Sequence, residues 1–226
     1  MRRRELFMLL GCAAIGWPLA AHGQQASKIY RLGYLALARV PHVIEALQTG
    51  LRELGYVEGK NLKVEYRFGE QQRETLDTLA AQLVALRPDA IVTRGTPATF
   101  AAKRATTTIP IVMAPVGDPV RIGLVASLAH PGGNITGVSL YGSELAGKRV
   151  ELLKELLPAI ARLGSLANAA NPATQIWWEE TQLAARALGL EGALFTVREP
   201  NELRLPSRRW SGTALTQWSS SRTPCL

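Results

Sequence analysis

The sequence has few of the residues that metal sites and disulfide frameworks need. Its 226 residues include two cysteines, Cys12 and Cys225, and three histidines. Both cysteines lie near the chain ends, outside the body of the sequence, so we expect no structural disulfide. His42 and His130 have no Cys or carboxylate neighbours at metal-ligand spacing, and no metal site is predicted.

The motifs of nucleotide binding and nucleophilic catalysis are also missing. No Gly-x-Gly-x-x-Gly follows the first predicted strand, and no Walker loop occurs in the chain. Ser127 and Ser139 lack the strand–turn–helix context of a nucleophile elbow. The sequence therefore predicts no cofactor and no enzymatic activity.

The net charge of the body of the chain is small, although the net charge of the whole chain is +8. Residues 1–23 carry a net +2 and residues 201–226 a net +3, so +3 remains for everything between them. No basic run there alternates with aromatic residues, and we expect no nucleic-acid partner.

The first residues have the order of a secretory signal peptide. Arg2-Arg3-Arg4 precede an apolar run that reaches Ala21, and Ala21-His22-Gly23 places small residues at positions −3 and −1 before Gln24. The run is too short and too rich in Ala and Gly for a membrane-spanning helix. We expect cleavage after Gly23 and a periplasmic location. A twin-arginine signal and a lipoprotein signal ending at Cys12 are the alternatives.

Hydrophobic periodicity alternates between strand and helix over the next part of the chain. The predicted strands are Ile29–Leu37, Asn61–Phe68, Ala90–Thr93 and Ile109–Ala114. The predicted helices run from Pro41 to Gly55, over Arg73–Leu86, and from Pro97 to about Ala105. Strands that alternate with helices through short links predict an α/β fold with a doubly wound parallel sheet. Asn61–Phe68 alternates apolar and charged residues, which favours a place near an edge of that sheet.

A second α/β unit is predicted to follow, and it is incomplete. Leu124–Leu128 is predicted as a short helical patch, and Asn134–Leu140 as a strand or crossover. The remaining predicted elements are a helix over Ser143–Leu157 capped by Ser143, a strand over Arg162–Asn168, a helix over Thr174–Leu188, a strand over Gly192–Val197 and a helix beginning at Glu199. We therefore expect a signal peptide over 1–23, an N-terminal lobe over 24–142 and a partial second lobe over 143–203.

The last segment, 204–226, has almost no apolar periodicity and is rich in Ser, Arg and Thr. One interpretation is a disordered tail. The other is a frameshift, because plausible codons read in the neighbouring frame encode a helix end, a buried strand and a Leu-Pro-Asp-Pro-Met-Phe loop. On this second hypothesis the chain is truncated and its function impaired.

The candidate site lies where predicted strands end, because ligands of open α/β sheets bind beyond the carboxyl ends of the strands. The candidate ligand-binding residues are Ala38, Arg39, Gly95, Thr96, Pro97, Gly117, Asp118 and Asn171. A hydroxyl at position 96 and the helix start behind it suit a carboxylate. Asp118 suits a ligand amine or a hinge contact, or it caps the turn before Pro119.

Two further features have a simpler structural interpretation. Gly132-Gly133-Asn134 is predicted as a turn rather than a site. Trp177-Trp178 is interpreted as packing at a helix start, with a stacking platform for a ligand as the alternative.

Taken together, several motifs resemble those of substrate-binding proteins of ABC transporters of the tryptophan/tyrosine type. These motifs are Val116-Gly117-Asp118-Pro119-Val120, Gly123-Leu124-Val125-Ala126-Ser127-Leu128, Pro131-Gly132-Gly133-Asn134-Ile135-Thr136-Gly137, Gly33-Tyr34-Leu35, Gly50-Leu51-Arg52-Glu53-Leu54-Gly55-Tyr56 and Thr93-Arg94-Gly95-Thr96-Pro97. The resemblance extends from the signal to about Leu203. The loop around Arg39 lacks the Ser/Gly-rich character of the family.

The resemblance implies a type I periplasmic-binding-protein fold, with two α/β lobes, a hinge and a small ligand in the cleft between them. It implies a monomer that takes a small solute, such as an aromatic amino acid, and hands it to an ABC permease in the membrane. A ligand-sensing domain of a regulator with the same fold is the alternative, and it would need a fused output segment and no export signal.

Overall fold

A computed structural model of the chain describes residues 28–69, 75–140, 142–143, 145–198, 202 and 214–217, the last four by their backbone alone. The predicted signal peptide, the predicted helix start at Glu199 and most of the last segment lie outside these residues. No helix in the described ranges is both long enough and apolar enough to cross a bilayer.

The first half of the described chain alternates strands and helices, as the sequence predicts. The elements are β1 (Tyr30–Ala36), α1 (Pro41–Glu53), β2 (Leu62–Phe68), α2 (Thr75–Ala85), β3 (Ala90–Arg94), α3 (Thr96–Ala105), β4 (Ile111–Gly117) and β5 (Ile135–Leu140). All strand pairs are parallel, in the order β2-β1-β3-β4-β5. The predicted parallel α/β sheet is confirmed, with β2 at an edge and Asn134–Leu140 resolved as a strand rather than a crossover.

Successive residues of β1 enter two different cores, one on each face of the sheet. Leu35 packs on one face in a cluster with Leu76 and Leu83 of α2. Tyr34 and Ala36 pack on the other face. Because both faces are covered, β1 is a near-continuous apolar strand, which is the pattern of a central parallel strand.

The second sheet contains three parallel strands and is packed by two helices. Its elements are α4 (Ala146–Leu156), β6 (Arg162–Asn168), α5 (Thr174–Ala187), β7 (Glu191–Val197) and β8 (Ala214–Gln217), with strand order β7-β6-β8. Leu163 of β6 packs with Val150 of α4 and Ala185 of α5. The partial second lobe predicted from the sequence has this α/β pattern.

Two local predictions are wrong. The predicted helical patch over Leu124–Leu128 is a series of bends. Gly123, directly before it, has φ 73°, which lies outside the helical region and ends the turns that precede the patch. Helix α4 begins three residues after Ser143, its N-cap is Leu145, and the Ser143 hydroxyl bonds to a carboxylate instead. In the last segment, Ala214–Gln217 pair with β6 as a strand, and the rest of the segment predicted as an aberrant or disordered tail lies outside the described residues.

Candidate functional site

The loops that follow β1, β3 and β4 lie side by side at one edge of the first sheet. These three strands are adjacent and parallel, so their carboxyl ends share an edge. Ala38 and Arg39 follow β1, Gly95 follows β3, and Asp118 follows β4. The topology therefore brings together seven of the eight candidate residues, which are Ala38, Arg39, Gly95, Thr96, Pro97, Gly117 and Asp118. Asn171 follows β6 in the second sheet.

The turn between β3 and α3 presents the start of a helix. Gly95 has φ 85° and ψ 158°, a conformation open to glycine alone, and it precedes Thr96 without any side-chain cap for the helix. Pro97 occupies the first turn, where its missing N–H costs nothing. The backbone N–H groups of a first helical turn have no partner within the helix, and the helix dipole gives that end a partial positive charge. Both features suit a carboxylate.

Two buried threonines, Thr93 and Thr99, hold this turn by hydrogen bonds. The Thr99 hydroxyl donates to the Gly95 carbonyl at 3.0 Å and lies 2.8 Å from the Thr93 hydroxyl. Since the single Thr99 proton is used on the carbonyl, Thr93 must be the donor to Thr99. Thr96 itself is 4% exposed. A ligand reaching this turn therefore meets rigid backbone.

Basic and aromatic groups lie beside the loop after β1. Arg39 is exposed, with its guanidinium carbon 5.7 Å from the Phe68 ring centroid at the end of β2. Tyr34 packs against Tyr66 and Phe68, with centroids 5.7 and 6.0 Å away. Burial raises the pKa of Tyr34, partly offset by the nearby Arg94 guanidinium. This corner therefore places an exposed cation next to a group of aromatic rings.

Asp118 lies where the first sheet meets the second. It is 8% exposed and has φ 46°, which is uncommon for a non-glycine residue. One carboxylate oxygen accepts a hydrogen bond from the Ser143 hydroxyl, and the other accepts one from the Trp177 indole N–H on α5. Both oxygens already have protein partners, which meets the general requirement that a buried charge be hydrogen-bonded.

Asn171 is half-buried in the loop before α5. Its side-chain oxygen accepts a hydrogen bond from the Ala173 N–H at 3.0 Å, and its carbonyl accepts one from the Thr174 N–H at 3.0 Å. These bonds form the turn that leads into α5. Asn171 thus lies after β6 of the second sheet, with its carbonyl and side-chain oxygen engaged in that turn.

The structural interpretations of the other two motifs agree with the structure. Gly132 and Gly133 have positive φ, and the Asn134 amide donates to the carbonyls of Thr106 and Ile109. Trp177 and Trp178 are both buried. Sequence reasoning missed that Trp177 bonds to Asp118, because the two residues are 59 positions apart and only the packing of α5 brings them together.

Among the described residues, no group of three or more His, Cys, Asp or Glu side chains is placed to bind a metal ion.

The chain matches a family of known transport proteins. The family model described as ABC transporter substrate binding protein matches residues 40–214. A curated relative, the tyrosine-binding protein of Clostridioides difficile, is 34% identical over 167 residues, which cover 71% of this chain and 48% of the relative. The chain therefore spans about half the length of this curated relative.

Two solved structures have the same fold and are about a third identical to this chain over the aligned residues. A conserved domain protein from Vibrio cholerae superposes with a TM-score of 0.72 at 31% identity, covering 77% of this chain and 60% of that one. An ABC domain from Streptococcus pneumonia in complex with L-Trp superposes with a TM-score of 0.70 at 32% identity, covering 77% and 59%. These matches give no support to the alternative of a regulator's sensor domain.

Proposed function

The chain belongs to the family of ABC transporter substrate-binding proteins, and we propose that it is the solute-binding component of an ABC-type importer. In this role it binds a small molecule in the periplasm and passes it to a membrane permease. The observation on which the proposal depends is the family match over residues 40–214. The meeting of the β1, β3 and β4 loops at one sheet edge supports it, because that edge is where α/β sheets bind ligands.

The proposed ligand is a small aromatic amino acid. One relative is a tyrosine-binding protein and another was solved in complex with L-Trp. An amino acid has a carboxylate, and the uncapped start of α3 behind Gly95 and Thr96 suits an anion. The Arg39 guanidinium supplies a second group for the same charge.

We place the ligand between this edge and the loop at Asn171. Ala38 and Pro97 contribute shape and backbone, while Arg39, Gly95 and Thr96 face the carboxylate. Gly117 is covered by the Trp177 ring and supports the site from beneath Asp118. Asp118 borders the site, and its two oxygens already accept hydrogen bonds from Ser143 and Trp177. A ligand ammonium group must therefore share this carboxylate with those donors.

Isothermal titration calorimetry of the purified chain against L-Trp, L-Tyr and L-Leu tests the function. We expect heat with the two aromatic amino acids and little with L-Leu. Because a hydrogen bond to a charged group contributes about 1.5–3 kcal/mol, Arg39→Gln should weaken binding roughly 10-fold to 100-fold. Arg186→Gln is the matched control, since Arg186 is exposed in the last turn of α5.

Two results would contradict different parts of the proposal. Absence of heat with every aromatic amino acid at millimolar concentration would exclude the ligand class. Equal weakening of ligand binding by Arg39→Gln and Arg186→Gln would exclude the proposed site, because the remote Arg186 would then affect binding as much as Arg39 does.

Export is tested separately, on the full chain expressed in a Gram-negative host. We expect the periplasmic fraction to contain a product whose intact mass corresponds to an N-terminus at Gln24. A cytoplasmic product that retains Met1 or Arg2 would contradict the proposed location and leave the ligand result unaffected.

A further inference from the structure

Contacts between the two sheets converge on one buried carboxylate. Asp118 follows β4 of the first sheet, Ser143 lies on the passage from β5 to α4, and Trp177 lies on α5 of the second sheet. The hydroxyl and the indole N–H each donate to a different oxygen of Asp118. Because hydrogen bonds to a charged acceptor are stronger than neutral ones, this carboxylate joins three segments that are distant in sequence.

The indole ring fits between two glycines. A Cβ atom added at Gly142 would lie 2.6 Å from the Trp177 indole nitrogen, and one added at Gly117 would overlap the six-membered ring. Gly117 lies in strand β4 and is not one of the described glycines with positive φ, so backbone conformation does not explain the glycine at that position. Both positions need glycine because Trp177 passes close to the backbone there.

The turn of α5 that carries Trp177 has further contacts. Its carbonyl accepts a hydrogen bond from the buried Thr181 hydroxyl at 2.7 Å. Next to it on the surface, Arg121 forms an ion pair with Glu180 at 2.8 Å and lies 4.0 Å from Glu179. This exposed pair is solvated and contributes little by itself, which leaves the buried contacts as the main connection.

We propose that Gly117, Asp118, Gly142, Ser143 and Trp177 form an intersheet clasp that sets the position of the second sheet relative to the first. The Trp177 ring fills the space beside the first sheet, and the two glycines let it approach the backbone closely. Asp118 is a positioning residue that holds the indole through its N–H. The clasp is a property of the chain without ligand, so its test does not depend on the proposed transport function.

Distance measurement between spin labels tests the clasp directly. In the full chain with Cys12→Ser and Cys225→Ser, labels are attached at Arg52→Cys on α1 and Arg186→Cys on α5, both exposed positions. We expect one narrow distance distribution. Trp177→Ala should broaden or shift it, and Trp177→Phe, which keeps a ring but loses the N–H donor, should do so to a smaller extent.

Conservative and matched variants separate positioning from general stability. Asp118→Asn retains an acceptor for the indole and a partner for Ser143, and it should restore the narrow distribution that Asp118→Ala loses. Trp178→Phe is the control, because Trp178 is also buried but packs on Gly192 within the second sheet. It should lower the melting temperature and leave the distance unchanged.

The outcomes are decisive even if Trp177→Ala does not fold. Unchanged distributions in both Trp177→Phe and Asp118→Ala would overturn the proposal. Equal broadening by Trp178→Phe would overturn it too, because loss of any buried ring would then suffice. A double variant, Asp118→Ala with Trp177→Phe, should be no broader than the broader single variant, since both remove the same hydrogen bond.

Discussion

Glycines of this chain differ sharply in what surrounds them. A Cβ at Gly117 would overlap the Trp177 ring, whereas a Cβ at Gly50, in the last turn of α1, would have nothing within 4 Å. The same residue type is thus a packing requirement at one position and a weak point of a helix at the other.

The first prediction compares these two positions. Gly117→Ala should destabilise the chain by about 1–3 kcal/mol, the usual range for overpacking a core. Gly50→Ala should stabilise it by about 0.5–1 kcal/mol, because alanine is the better helix former. Urea unfolding monitored by circular dichroism gives both values. The interpretation fails if Gly117→Ala is neutral or if the two changes have the same sign.

The second prediction concerns the buried Tyr34 hydroxyl at alkaline pH. Burial raises the pKa of Tyr34 in the folded chain, while an exposed tyrosine in the unfolded chain titrates near its ordinary value of about 10. The folded state therefore holds the proton more tightly, and this contribution to stability is complete below about pH 10 and decreases as the pH rises above it.

Tyr34→Phe removes this titration, so its stability should fall less than that of the unmodified chain between pH 8 and pH 11. Tyr56→Phe, at a partly exposed position, is the control and should behave like the unmodified chain. Urea midpoints at both pH values provide the measurement. An equal alkaline loss in the unmodified chain and in Tyr34→Phe would show that Tyr34 is not responsible.

Helix α2 is attached to the first sheet chiefly through one apolar face. Leu76, Ala80 and Leu83 are buried there in the same cluster as Leu35 of β1. The sequence spacing predicts this face, because residues three and four apart share one side of a helix. The predicted start of the helix at Arg73 is not tested, because residues 70–74 lie outside the described part of the chain.

The third prediction is that Leu83→Ala costs about 2–5 kcal/mol of unfolding free energy, as expected for a large-to-small change at a fully buried position. Leu54→Ala should change stability by less than about 0.5 kcal/mol, because Leu54 is 76% exposed after the end of α1. Denaturant midpoints of the two variants give the comparison. Similar losses at both positions would contradict the assignment of Leu83 to the core.

Strand β4 shows an effect that periodicity did not predict. Its pairing with β5 shifts register between Met113 and Val116, and Pro115, which has no N–H to donate, lies inside that interval. The predicted strand ended at Ala114, whereas the observed strand continues to Gly117. The strand therefore continues past its proline with a shifted register. Asp118 follows directly and contacts Trp177 of the second sheet.

The two sheets of the molecule differ in how completely they are covered. Both faces of the first sheet enter apolar clusters. In the second, Leu163 faces α4 and α5, while Leu166 and its register partner Phe195 lie on the opposite face and are half-buried. Less complete burial implies a lower local free energy of opening.

The fourth prediction follows for the whole chain. In hydrogen exchange followed by mass spectrometry, peptides covering β6 and β7 should exchange faster than peptides covering β1, β3 and β4. The control is a pair of exposed-loop peptides, one near each sheet, which should exchange alike. Slower exchange in β6 than in β1 would mean that half-burial of the second sheet does not lower its protection.

The sequence by itself determined the alternation of strands and helices, the parallel α/β class and the strand-end loops where a site is expected. It could do so because hydrophobic periodicity and turn residues act over a few positions. Only the tertiary structure decided that Trp177 and Ser143 share the carboxylate of Asp118, that Gly117 and Gly142 make room for an indole, and that Ser143 is not a helix cap. Those contacts join residues 25 and 59 positions apart. Such pairs depend on how one element packs against another, which no local pattern specifies.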